Sequence, residues 1–297
     1  MNLVTIDGLT FYEDKGVLKQ LVLYGYDLQK ELEALRKYNI DAISVNRFFC
    51  GRRINDLDFL KDYPFIKRVD ISDDDIDCNG LYYLPMLEDL SVKGKKTLDY
   101  SVFKHLKILD TRQPAPYKFP DSIETLYIWH MKLKGKDMNT IRFPKSIKQL
   151  FLYWSDIKSL QGLPGGLERF EIALCRQLNS LSGLEKSSES LHQVKLENCP
   201  HITDYDALNQ CVRITELIVG SCHGIPSISF VKNMKELQYI SLFKTKVLDL
   251  DLSPLLPVPS VFYTNSKDYP FNPKDFNFPN YDIPQEVTIT PRSSLLP

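Results

Sequence analysis

The sequence predicts an α/β repeat solenoid: a curved parallel sheet of about twelve short strands, with an irregular convex side that carries few helices. Three observations predict it. Apolar residues at relative positions one, four and six of a unit recur down almost the whole chain. The units follow one another at steps of 17 to 26 residues, each too short to bury its own apolar edge but able to bury it against a neighbour. The repeat takes up nearly all of the 297 residues, which favours one elongated domain over two compact ones.

The elements follow in chain order. Residues 1–15 form an N-terminal cap in which Leu3, Val4 and Ile6 supply a capping strand. The solenoid spans 16–265. Its units open with Leu18/Leu21/Leu23, Ile40/Ile43/Val45, Ile66/Val69/Ile71 and Leu87/Leu90/Val92, and continue with Leu106/Leu109/Thr111, Ile123/Leu126/Ile128, Ile147/Leu150/Leu152 and Leu167/Phe170/Ile172. They close with Leu191/Val194/Leu196, Ile214/Leu217/Val219, Leu237/Ile240/Leu242 and Val258/Val261/Tyr263. In each, positions four and six share one face of a strand and positions three, five and seven the other. Asp27 is placed to cap a helix running to about Lys37, with Leu28, Leu32 and Leu35 on one face. Short helical turns are expected at Asp58 to Tyr63, Ser182 to Ser190, Ala207 to Cys211 and Phe230 to Lys235. Thr111 to Asp121, with Pro114, Pro116 and Pro120, is expected to be extended. Residues 266–297 read as an irregular cap, its aromatics packed on the last unit, and a disordered tail from Thr290.

The repeated triplet resembles the leucine-rich repeat family over roughly residues 16 to 265. Ser159-Leu160-x-Gly162-Leu163 and Ser180-Leu181-x-Gly183-Leu184 resemble the intracellular and internalin-like repeats of bacteria, whereas Leu196-x-x-Cys199-Pro-x-Ile202-Thr-Asp204 resembles the cysteine-containing repeats of many F-box proteins. The resemblance implies that a ligand is bound on the concave face, which positions three, five and seven line.

Those positions carry large rings at the centre of the chain. Tyr127, Trp129, Phe151 and Tyr153 occupy outward positions of two adjacent units, with His130 and Trp154 just beyond. Asp110 and Arg112 on one side, and Arg169 and Glu171 on the other, border them. An aromatic centre with a charged rim has the make-up of a protein-interface hot spot. The same rings could instead brace the sheet through cross-strand pairs, or lie under a loop such as Thr111 to Pro120. A second possible surface comprises Tyr239, Phe243 and Phe262, and the earlier row Arg68, Asp70, Asp89, Ser91 and Lys93 is mainly polar.

Other chemistry is weaker. Cys175, Cys199 and Cys222 all fall at position nine, where the family resemblance implies a structural role in the turn. Asp73, Asp75 and Asp77 begin like a calcium loop, but Cys78 stands at its glycine and Leu84 at its final glutamate. A simpler role is charge neutralisation of Asp74 and Asp75 by Lys95 and Lys96 of the next unit. No phosphate loop, dinucleotide fingerprint, nucleophile elbow or zinc-protease pair is present, so neither catalysis nor a cofactor or metal is expected. Net charge is −1, and nothing in that balance favours nucleic acid or an anionic membrane. Six scattered cysteines and an N-terminus unlike a secretory signal point to the cytoplasm.

The reading is therefore a non-enzymatic solenoid that binds a protein on its concave face, with no nucleic-acid, membrane or small-molecule ligand expected. A bacterial immunity protein or antitoxin is its most specific version. A secreted host-directed effector, an adaptor recruiting a protein substrate, and a carbohydrate-binding module are the alternatives.

Overall fold

The computed structural model describes residues 2–51, 53–94, 97–264, 269, 270 and 276. They form a leucine-rich repeat solenoid of short, mostly parallel strands, and the chain divides into two compact units, Met1–Leu126 and Tyr127–Thr288.

In the first unit the strands lie in chain order: β1 (Asn2–Ile6), β2 (Leu9–Asp14), β3 (Val17–Leu23), β4 (Ala42–Val45), β5 (Arg68–Ile71), β6 (Asp89–Val92) and β7 (Ile108–Thr111). β1, β2 and β3 form an antiparallel meander, so the N-terminal segment is a hairpin and not a single strand. From β3 onward pairing is parallel, and Leu21, Ile43, Val69, Leu90 and Leu109 stand opposite one another in turn. These are the position-four residues, and each is fully buried.

β8 (Thr125–Trp129) spans the division. In the second unit it is followed in the sheet by β9 (Gln149–Tyr153), β10 (Arg169–Ala173), β11 (Gln193–Glu197) and β12 (Glu216–Gly220). A short pair, β13 (Gly224–Ile225) and β15 (Lys246–Val247), lies apart, while β14 (Tyr239–Leu242) and β16 (Ser260–Tyr263) end the main sheet. Leu150, Phe170, Val194, Leu217, Ile240 and Val261 form the same position-four row. All twelve predicted segments thus contain strands, and every pairing described above keeps the predicted register. Burying each such aliphatic side chain contributes about 1.5–3 kcal/mol, repeated rung by rung.

Helix α1 (Leu28–Lys37) forms as predicted, its N-cap Asp27 accepting from the Lys30 amide, with Leu32 and Leu35 buried. α2 (Arg47–Cys50) and 3₁₀ turns at Asn79–Tyr83, Tyr100–Val102 and Ser253–Leu255 were not foreseen. The predicted turns appear as 3₁₀ helices at Asp58–Asp62, Leu184–Ser187, Asp206–Asn209 and Ser229–Asn233. After Thr111 the proline-containing stretch has neither helix nor strand.

Two backbone-linked rows close the turns of the second unit. At position eight, His130, Trp154, Leu174, Asn198, Ser221 and Lys244 all have positive φ, from 48° to 60°. For five of them the amide donates to the position-seven carbonyl of the next repeat, as from Trp154 to Ala173 at 3.0 Å. At position nine, Ser155, Cys175, Cys199, Cys222 and Thr245 each donate to the carbonyl two residues back. Three of them also accept an amide from position nine of the preceding repeat: Met131 donates to Ser155, Ser155 to Cys175 and Cys222 to Thr245. The cysteine row is therefore hydrogen-bonded scaffolding. All six cysteines are unpaired and buried.

Most of the expected C-terminal cap, and the tail from Thr290, lie outside the described residues. Tyr269 and Phe276 stand edge-on to Tyr263, at 5.8 and 5.4 Å.

Candidate functional site

Parallel in-register pairing sets equivalent side chains of adjacent strands one above the other at about 4.8 Å, a spacing that suits stacked rings. In the second unit Tyr127 lies over Phe151 at 4.2 Å between centroids and 10° between planes, and Trp129 lies over Tyr153 at 4.3 Å. The stacking has a consequence that alternation did not reveal. Trp129, Phe151 and Tyr153 are only 2%, 3% and 5% exposed, and Tyr127 is half-buried. The four rings are thus arranged as the cross-strand pairs that the sequence also allowed: they cover one another, and the Arg169 guanidinium covers Phe151 from 5.1 Å.

Trp154 is the open member, at 43% exposure. Its positive φ of 48° turns the chain out of β9 and leaves the indole beyond the strand. There it stacks on Trp129 at 5.4 Å and on His130 at 5.5 Å. A left-handed backbone costs a non-glycine residue roughly 1–2 kcal/mol, and here the position-eight hydrogen bond offsets that cost.

Beside the rings runs a chain of alternating charge. Arg169 pairs with Glu171 at 3.4 Å, Lys195 with Glu171 at 3.5 Å, and Lys195 with Glu197 at 3.0 Å. Tyr153 Oη donates to Glu171 Oε1 at 3.1 Å. Burial first, and then the Glu171 charge, push the Tyr153 phenol above its ordinary value. Arg169 and Glu171 therefore flank the rings as expected, and Glu171 is largely desolvated. Lys195 and Glu197 were missed, although they occupy positions five and seven of the ninth unit, where the same register would have found them. The hollow lined by Arg169, Gln193, Lys195, Glu216 and Ile218 measures about 160 Å³. That is below the roughly 300 Å³ at which small-molecule pockets begin.

Of the other residues considered as a surface, Phe243 and Phe262 lie 6.0 Å apart in the same unit, with Lys244 over Phe243 at 5.1 Å, and both rings and Tyr239 are half-buried.

Asp110 and Arg112 belong to the first unit and take part in its own polar network. Asp110 is buried, and Arg68 pairs with Asp89 at 3.1 Å. Asp70 is half-buried with its Oδ1 shut off from solvent. Burial, and next the charge of Asp110, push its carboxyl up to about 6, against smaller opposing contributions from Ser91 and Arg112. The acidic run has partners of its own among the described residues: Arg47 pairs with Asp73 and, at 3.4 Å, with Asp75, while Lys93 reaches Asp74 at 3.5 Å. The Lys95 and Lys96 partners lie outside the described residues. Among the described residues no three His, Cys, Asp or Glu side chains gather closely enough to hold a metal ion. No helix there is long and apolar enough to cross a membrane.

No protein-family model matches the chain, and no curated protein matches it. Among solved structures, an internalin, InlF, from Listeria monocytogenes is similar at 16% identity and a TM-score of 0.54, over 83% of this chain and 82% of that one. A leucine-rich cell surface protein from Faecalibacterium prausnitzii aligns at 11% identity over 90% of this chain and 96% of that one, but with a TM-score of 0.16 it carries no argument. What the chain shares with the internalin is the leucine-rich repeat fold.

Proposed function

We propose that the chain is a non-enzymatic recognition protein that binds a protein partner through the outer sheet face of the Tyr127–Thr288 unit, with Trp154 as its anchor. The observation that carries this reading is the exposed indole stacked on Trp129 and His130, in the same unit as a row of largely buried, paired charges. A ring already fixed in place loses little freedom on binding, and Trp with a charged surround is the usual composition of an interface hot spot. Arg169, Lys195 and the carboxylates between them select the partner by charge.

The test is a pull-down from native lysate comparing wild type with Trp154→Ala, both checked for folding by circular dichroism. The partner's affinity for the variant should fall at least about tenfold. A partner that binds the variant as tightly would make the indole structural and place the site elsewhere. A toxin bound by an immunity protein is one identity for that partner, suggested only by the resemblance of the Gly162 and Gly183 repeats to bacterial ones. The unpaired thiols fit a reducing compartment, which makes a cytoplasmic lysate the place to look. Recovery of a toxin-like nuclease would establish that role, whereas a host protein or a ligase subunit would replace it by an effector or an adaptor. Signal on a glycan array that is lost in Trp154→Ala would instead favour a carbohydrate ligand.

A further inference from the structure

The two most exposed aromatic side chains among the large hydrophobics of the described chain are Tyr26 and Phe48, at 75% and 73%, and both stand in the first unit. They belong to one cluster. Tyr24 stacks with Tyr26 at 6.2 Å and meets Phe49 edge-on at 5.6 Å, and Phe49 meets Phe48 at 5.2 Å. Position in the repeat explains the gathering: Tyr24 and Tyr26 follow β3, and Phe48 and Phe49 lie in α2, which follows β4.

The cluster is rigidly framed. The buried Glu31 carboxylate accepts from the amides of Tyr24, Gly25 and Tyr26, at 2.9, 2.9 and 3.2 Å, and so clamps the loop that carries both tyrosines. Gly25 has a φ of +69°, and a Cβ there would lie 2.9 Å from Ile54. Asn46 caps the other loop by accepting from the Phe48 amide at 2.9 Å. Arg53 ties the two together: its Nε donates to the Tyr24 carbonyl at 2.6 Å and its Nη2 to the Phe49 carbonyl at 2.7 Å, with the guanidinium 3.8 Å from the Tyr26 ring centroid.

Two features of this arrangement ask for a partner. Rings exposed to this extent contribute little burial to the fold that holds them in place. Arg53 also keeps an uncompensated charge, for no carboxylate among the described residues pairs with it, whereas neighbouring Arg47 is neutralised by Asp73 and Asp75. A fixed cation within a fixed aromatic surround is complementary to a carboxylate carried next to an apolar side chain.

We propose that this platform is a second docking surface, and that its occupant is an acidic peptide segment presenting an Asp or Glu beside an aromatic or leucine side chain. The carboxylate meets Arg53, and the apolar neighbour packs on Tyr26 and Phe48. The proposal does not rest on the Trp154 reading, which concerns the other unit.

The full chain is immobilised and panned against phage displaying random dodecapeptides, and enriched sequences are synthesised and titrated by fluorescence anisotropy. Enriched peptides should carry Asp or Glu adjacent to Trp, Phe, Tyr or Leu. Their affinity should fall at least about tenfold in Tyr26→Ser/Phe48→Ser and in Arg53→Gln, be partly kept in Arg53→Lys, and be unchanged in Trp154→Ala. Because Tyr26 and Phe48 are so exposed, their double variant keeps the test valid even if Arg53→Gln loosens the loops. The proposal is overturned by no enrichment, by neutral or basic consensus sequences, or by peptides that respond only to Trp154→Ala. Co-sedimentation with phosphatidylglycerol/phosphatidylcholine vesicles that the double variant abolishes would also overturn it, making a bilayer the occupant.

Discussion

Asp70 shows how a single carboxyl reports on its surroundings. Its folded pKa is about 6, against 3.8 for an unperturbed aspartate, so the folded state disfavours the ionised form. The folded protein therefore holds the proton more tightly than the unfolded chain, and stability falls as pH rises from about 3.8 through about 6. Asp70→Asn removes the charge while keeping a group able to bond with Ser91. Urea midpoints should show the variant more stable than wild type by on the order of 2 kcal/mol at pH 7.5, the difference vanishing near pH 4. A difference of the same size at both pH values would show that ionisation of Asp70 is not its cause. At this same scale Trp154 was readable only as a residue just beyond the strand. That its indole stands open while Trp129, Phe151 and Tyr153 are covered follows from ring stacking, which residue identity does not encode.

The element that matters most in the second unit is the turn after each strand, where positions eight and nine repeat similar hydrogen bonds from rung to rung. Cys175 accepts the Ser155 amide at 3.3 Å and donates to the Ala173 carbonyl in a fully buried setting. Cys175→Ala leaves that amide without an acceptor and should cost about 1–3 kcal/mol. Cys175→Ser keeps the acceptor, as Ser155 does one rung earlier for the Met131 amide, and should cost clearly less. Equal losses for Ala and Ser in chemical denaturation would mean that volume, and not the hydrogen bond, governs this position. The short helices illustrate a limit of reading elements from sequence. α1 was legible because ten residues display a full apolar face and an Asp cap. α2 and the turns at Asn79–Tyr83, Tyr100–Val102 and Ser253–Leu255 were not, since three to five residues are too few to show helical periodicity.

For the whole molecule, a solenoid's stability is a sum of contacts between neighbouring rungs, so an end rung without a cover exposes core. The N-terminal hairpin provides one such cover in the first unit. Phe11 in β2 is fully buried, lies opposite Leu21 of β3 and meets Tyr38 edge-on at 5.2 Å. Phe11→Ala should lower stability by about 3–5 kcal/mol in a urea titration. A loss below about 1 kcal/mol would mean that the hairpin is not part of the cooperative core. By itself the sequence determined the twelve repeat strands and their buried rows, though not the N-terminal hairpin or the β13/β15 pair, because a period-two alternation repeated twelve times allows the apolar edge to be buried in one way only. It also determined which residues face outward, including Arg169 and Glu171. Tertiary structure alone decided which outward residues remain accessible. It closed the Tyr127 to Tyr153 rings upon themselves, left Trp154 open and brought Tyr24, Tyr26, Phe48, Phe49 and Arg53 together from two loops. The reason is physical: alternation assigns a side chain to a face of the sheet, but its exposure depends on what the neighbouring rung places over it.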